Sequence, residues 1–147
     1  MVIVSGGYAG DVTPGEAWAM LREVPDAQII DVRTRPEWTF VGVPDTSELG
    51  REVIPLEWQV FPTMGVDPDF AAKLEAELDR RGADKDAPLL FLCRSGVRSA
   101  AAANLMTQRG YTRALNISGG FEGGHDEHGH RGTREGWKAE GLAWRQG

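Results

Sequence analysis

Short apolar runs alternate with amphipathic stretches along this chain, and the alternation predicts strands and helices in turn. Gln28-Ile29-Ile30-Asp31-Val32 is a β-branched run of the kind a buried strand needs, and Pro88-Leu89-Leu90-Phe91-Leu92 is a continuous apolar strand with charge upstream. Ala114-Leu115-Asn116-Ile117 is the next strand, ended by Ser118-Gly119-Gly120. Helix patterns lie between them. Thr13-Pro14-Gly15-Glu16 starts one, with Thr13 as N-cap, Pro14 in the first turn and Glu16 reaching back; it runs to about Glu23, where Val24-Pro25 breaks it. Asp67-Pro68 opens a second, in which Phe70, Leu74 and Leu78 repeat every four residues up to Arg80-Arg81 before Gly82. The third runs from about Val97 to Arg109 through Ala100 to Ala103, Leu105 and Met106, and Gly110 supplies its stop.

Weaker patterns fill the rest. A short N-terminal apolar stretch adds a strand before the first helix. Pro36 to Thr63 carries four prolines and two glycines, which predicts loops, a short helical turn and one short strand at Val53-Ile54. Gly123 to Thr133 reads as loop and Glu135 to Glu140 as a short last helix. Strands alternating with helices predict an α/β fold, a mainly parallel sheet covered on both faces, with ligands bound beyond the carboxyl ends of the strands. With 147 residues, 41% of them hydrophobic, and neither repeat nor linker, one domain spanning 1–147 is expected.

Charge narrows the function classes. Sixteen Lys and Arg against 22 Asp and Glu give a formal charge of -6, which argues against general binding of nucleic acid or an anionic membrane. Any attraction for anions must be local. The one cysteine can form neither an internal disulfide nor a CxxC redox pair or thiolate zinc site, so a reducing, cytoplasmic setting is the default. The N-terminal residues show no basic leader or signal-length apolar run, and no later segment is long enough to span a bilayer, so a soluble protein is expected.

That cysteine, Cys93, ends a buried strand and precedes a helix, so its sulfur is expected to face successive backbone amides and the positive end of the helix. Such surroundings, with Arg94 and Arg98 close by, favour the thiolate, the form that acts as a nucleophile. Gly96 permits a tight turn, while Ser95 and Ser99 are placed to cap the helix or donate to a bound oxyanion. The alternative is a small buried hydrophobe, as many free cysteines are. Two arginines, a glycine and two serines within the next six positions make a poor apolar environment for that role.

The segment Cys93-Arg94-Ser95-Gly96-Val97-Arg98-Ser99 resembles the active-site loop of rhodanese-like sulfurtransferases. Asp31-Val32-Arg33 with Glu37-Trp38 resembles the family's early motif, Ser118-Gly119-Gly120-Phe121 its late glycine motif, and Trp137 with Gly141-Leu142 its closing segment. The resemblance implies a three-layer α/β sandwich with a five-stranded parallel core, and sulfur transfer without a cofactor. Cys93 is then the catalytic residue, Arg94, Ser95, Gly96, Val97, Arg98 and Ser99 form the substrate-binding loop, and Asp31 and Arg33 support it. The implied partners are a small sulfur donor such as thiosulfate and a thiophilic acceptor, cyanide or a thiol, protein thiols included. A sulfur-relay or regulatory module on the same fold is the alternative. Related cysteine phosphatases and arsenate reductases carry an arginine six positions after the cysteine; here that position is Ser99, and Arg98 stands five after.

Further residues have two readings each. Asp31 either pairs with a loop arginine or caps its strand, and Arg33 with Glu37 stands at helix spacing, where a weak surface pair is expected. Trp38, Trp58 and Phe61 either exclude water from the sulfur site or serve as packing. The family's Gly-Ala and Asn-Ile-Pro landmarks are replaced by Val41-Gly42-Val43-Pro44, an acidic Asp45 to Glu52 stretch and Val53-Ile54-Pro55, so the acceptor side departs from the pattern. His125, His128 and His130, with Asp126 and Glu127, are zinc or nickel ligand types but match no established spacing; a solvated or pocket-rim loop is expected, with no metal.

Overall fold

The computed structural model describes residues 7–60 and 63–146. Its centre is a five-stranded sheet in which every pairing is parallel: β1 (Gly10–Val12), β2 (Gln28–Asp31), β4 (Ile54–Pro55), β7 (Leu89–Leu92) and β8 (Ala114–Ile117), in the order β1-β8-β7-β2-β4. β7 lies in the middle. Two small antiparallel ladders stand apart from it, β3 (Val43–Pro44) with β9 (Trp144–Arg145), and β5 (Gln59–Val60) with β6 (Gly65–Val66).

Helices cover both faces of the sheet. α1 (Pro14–Glu23) begins at a capping box, with Glu16 N–H donating to Thr13 Oγ1 and Thr13 N–H to Glu16 Oε1. It places Ala17 and Leu21 against Ile29, Leu90, Leu92 and Ile117. α3 (Phe70–Arg80) and α4 (Val97–Gln108) cover the other face, where Phe70, Leu74, Leu78, Ala102, Ala103 and Met106 meet Ile30, Val32, Leu89 and Phe91. Adjacent strand residues point to opposite faces. The odd positions of β7, Leu89 and Phe91, therefore share the α3 and α4 face, and Cys93 continues their row.

Three expectations are revised. The predicted helix at Glu135 to Glu140 is a run of bends and turns. The Trp137 and Lys138 N–H groups donate to Gly120 and Phe121 carbonyls, so they are withdrawn from helical pairing. The irregular stretch holds more structure than expected: α2 (Arg35–Phe40), β3, a short 3-10 helix at Ser47–Leu49, and β4 at Ile54–Pro55 rather than Val53-Ile54. The predicted N-terminal strand falls at Gly10–Val12, beyond the apolar Met1 to Val4, which lie outside the described residues. Among the described residues no helix is long and apolar enough to cross a membrane.

Candidate active site

The carboxyl end of the central strand β7 runs directly into the cysteine loop, and α4 starts four residues after Cys93. Gly96 is the helix N-cap, at φ 114, a left-handed conformation that glycine adopts without a Cβ penalty. That turn aims the Gly96 N–H at Cys93 Sγ, 3.1 Å away. Ser99 Oγ, one turn into the helix, lies 3.2 Å from the same sulfur. Cys93 is 1% exposed, so these two donors meet it with little competition from water.

The late glycine motif is the loop's outer wall. Phe121 N–H donates to the Cys93 carbonyl, and the Glu122 and Gly123 N–H groups both donate to the Arg94 carbonyl. These strands of chain approach so closely that a Cβ on Gly120, which has φ +62, would stand 2.5 Å from Cys93 O and 2.6 Å from Arg94 C. Only glycine fits there. The late glycine motif is thus in backbone contact with the cysteine loop.

The loop residues divide by where they face. Arg94 is exposed and Val97 is 78% exposed, Ser95 and Gly96 are half-buried, and Ser99 is buried. Helix capping by Ser95 or Ser99 does not occur, since the N-cap has no side-chain bond; Ser99 faces the sulfur. Arg98 turns to Glu37 across 61 positions of sequence, with Nη1 to Oε1 at 2.7 Å and Nη2 to Oε2 at 2.9 Å, a bidentate pair. Glu37 is held from its own side by the Thr34 N–H and hydroxyl. Burial pushes the Glu37 carboxyl up, but the hydrogen bonds and charge of Arg98, aided by Thr34, outweigh it and bring it down to about 2. The Glu37 carboxylate in turn pushes the Arg98 guanidinium up.

Asp31 does not hold a loop arginine, nor does Arg33 form a surface pair with Glu37. Arg33 is fully buried and grips Asp31 with Nε to Oδ1 at 2.9 Å and Nη2 to Oδ2 at 2.7 Å. Its Nη2 also donates to the Gly42 carbonyl, and its guanidinium stacks 4.2 Å from the centre of the Phe121 ring. One arginine thereby fastens β2, the turn before β3, and the glycine motif against each other. Trp38 lines a cavity of about 390 Å³ together with Asp31, Pro44, Arg51 and Pro55. Trp58 is packing, edge-on to Phe70 with ring centres 4.9 Å apart, and Phe61 lies outside the described residues.

His125, His128 and His130 are exposed, and the loop closes on Asp126, whose carboxylate accepts the His128 and His130 N–H groups and the Thr133 hydroxyl. Among the described residues no group of three His, Cys, Asp or Glu is placed to hold a metal ion. Asn116 is the site residue that sequence reasoning left as a strand position: its Oδ1 lies 2.5 Å from Ser99 Oγ. A polar side chain in an apolar strand near the ligand end of the sheet was the available signal.

The comparisons with known proteins agree with this fold. The family model described as the rhodanese-like domain matches residues 13–127. An uncharacterized protein of Rickettsia conorii is 36% identical over 129 residues, 88% of this chain and 91% of that protein. A sulfurtransferase of Allochromatium vinosum is 29% identical over 101 residues, 69% of this chain and 74% of that one. Among solved structures, Rv0390 from M. tuberculosis is 49% identical with a TM-score of 0.83, covering 95% of this chain and 99% of its own. The polysulfide-sulfur transferase homodimer from Wolinella succinogenes, 22% identical with a TM-score of 0.57 over 95% of this chain and 80% of its own, shares the fold. With the parallel five-stranded sheet and a match over most of its length, the chain belongs to the rhodanese-like domain family.

Proposed function

We propose that this protein is a sulfurtransferase that carries sulfur as a persulfide on Cys93, taking it from a donor such as thiosulfate and passing it to a thiophilic acceptor, cyanide or a thiol. The observation that carries this reading is the sulfur's position at the end of β7 between two hydrogen-bond donors, Gly96 N–H and Ser99 Oγ. Sulfurtransferases are represented in the chain's family.

The reaction divides one transfer into two displacements. In the first, the Cys93 thiolate forms a bond to the sulfane sulfur of the donor, the donor's S–S bond breaks, and sulfite leaves with the electron pair. In the second, the acceptor bonds to the terminal sulfur, the Sγ–S bond breaks, and its electron pair returns to Cys93 Sγ. Each step begins or ends with a thiolate. Donors already aimed at Sγ stabilise that charge without having to reorganise.

The loop's size favours a sulfur atom as cargo. Arg98, the residue best placed by sequence to grip an oxyanion, has both Nη groups engaged by Glu37. Its role is to brace the loop, and the exposed Arg94 is left to attract an anionic donor to the entrance. The test is incubation with thiosulfate and cyanide: thiocyanate forms with the wild type, and a Cys93→Ser protein with undiminished turnover overturns the proposal.

A further inference from the structure

The hydrogen bonds at Cys93 do not end at Ser99. Ser99 Oγ lies 3.2 Å from Cys93 Sγ and 2.5 Å from Asn116 Oδ1, and Asn116 Nδ2 donates to Asp11 Oδ1 at 3.0 Å. The Tyr8 hydroxyl donates to the same Asp11 oxygen at 3.0 Å. Ser99 and Asn116 are buried, at 0% and 6% exposure, while Asp11 is exposed at the edge strand β1. The chain therefore runs from the sulfur, beneath the cysteine loop, across β8 to the surface.

Donor and acceptor rules fix most of its directions. An ionised carboxylate only accepts, so the Asn116 NH₂ must face Asp11, and its carbonyl oxygen must then face Ser99. Ser99 carries one hydrogen and has two acceptors within reach, the amide oxygen and the sulfur. When Sγ bears a full negative charge it is the stronger attraction. When Sγ is bonded to a second sulfur the charge has moved outward to the terminal atom, and Asn116 Oδ1 becomes the better partner.

We propose that Ser99 is a two-position hydrogen-bond switch, and that Asn116, oriented by Asp11, is the positioning residue that holds the hydroxyl away from Cys93 while the persulfide exists. The inference rests on the persulfide reading above. During loading, the Sγ–S bond forms, the donor's S–S bond breaks with its pair leaving on the donor, and the Ser99 hydrogen turns from Sγ to Asn116. During unloading, the acceptor–S bond forms, the Sγ–S pair returns to Sγ, and the hydrogen turns back. Asn116 thus favours the loaded state and Ser99 the departure of the thiolate.

The two residues have opposite effects on the half-reactions, which a purely structural role does not produce. Ser99→Ala removes the donor from the leaving thiolate, so release of sulfur to cyanide slows by about tenfold or more and persulfide accumulates during turnover. Asn116→Leu leaves Ser99 with the sulfur as its only partner; the thiolate is then over-stabilised, loading from thiosulfate slows, and the steady-state persulfide fraction falls. Asp11→Ala, at an exposed position, releases the Asn116 amide and shifts the fraction in the same direction by a smaller factor. Ser99→Thr keeps the hydroxyl and restores release.

The experiment is rapid-mixing measurement of both half-reactions, with intact mass reporting the persulfide fraction of each variant. Opposite shifts for Ser99→Ala and Asn116→Leu, with the Asp11→Ala shift following Asn116, support the switch. Wild-type protein that loads and unloads while the variants all move both steps equally overturns the switch and leaves the persulfide reading standing. Wild-type protein that gains no sulfur at all overturns both.

Discussion

Two arginine–carboxylate pairs flank the cysteine loop, and they do different work. Arg33 and Asp31 are two residues apart, sealed from water at 0% and 1% side-chain exposure, and tied to the Gly42 carbonyl and the Phe121 ring. Arg98 and Glu37 are 61 residues apart and keep 17% and 19% of their side chains exposed. The first pair welds three segments of the scaffold together. The second bridges α2 to the first turn of α4, and so fixes the far end of the loop that begins at Cys93. The same chemistry gives stability where both charges are enclosed and placement where one partner sits beside the cysteine loop.

The comparison is broken most severely at Arg33. Arg33→Met leaves the Asp31 carboxylate buried without its counter-ion, and urea unfolding is expected to show a loss of about 3–5 kcal/mol. Sulfur transfer per folded molecule falls less than in the Glu37 variant described below. Gly120→Ala comes next. Its Cβ meets backbone atoms of Cys93 and Arg94, which cannot swing aside, and the positive φ adds strain, together at least about 1–3 kcal/mol. Thermal unfolding registers that cost, and loading from thiosulfate falls because the loop backbone shifts.

Glu37→Gln sharpens the other half of the contrast. The carboxyl sits below its ordinary value of 4.5, at about 2, so the pair contributes up to about 3 kcal/mol. Because the folded-state value lies below the unfolded one, that contribution is complete above pH 4.5 and is lost as the pH falls toward about 2. The wild type therefore loses stability over that acid range and the variant loses less, as urea midpoints against pH will show. At neutral pH the variant's loading rate drops roughly tenfold, since Arg98 no longer braces the loop. At the small end, Arg109→Ala breaks an exposed pair with Glu75 and leaves the urea midpoint and sulfur transfer unchanged.

Strands and helices were legible where one face is continuously apolar. β7 at Leu89–Leu92 and α3 with Phe70, Leu74 and Leu78 were readable from periodicity because burial alone determines them. The β3–β9 ladder was not, since Val43–Pro44 and Trp144–Arg145 are two-residue strands joined only by the fold. Cys93 and its loop were readable because strand, turn and helix adjoin in sequence. The partners were not. Arg33 reads as a surface cation until Phe121 and Gly42 enclose it, and Glu37 finds Arg98 only through tertiary folding. Asn116 gave a faint signal, a polar residue on an apolar strand, whose meaning depends on Ser99 lying 2.5 Å away.

The central claim is that Cys93 accepts and releases one sulfur atom. Intact-mass measurement of the reduced protein after thiosulfate tests it most directly. The account predicts the gain of a single sulfur mapped to Cys93, lost again on addition of cyanide with release of thiocyanate. Protein that stays at its unmodified mass under thiosulfate, or a Cys93→Ser variant that gains the same sulfur, contradicts it.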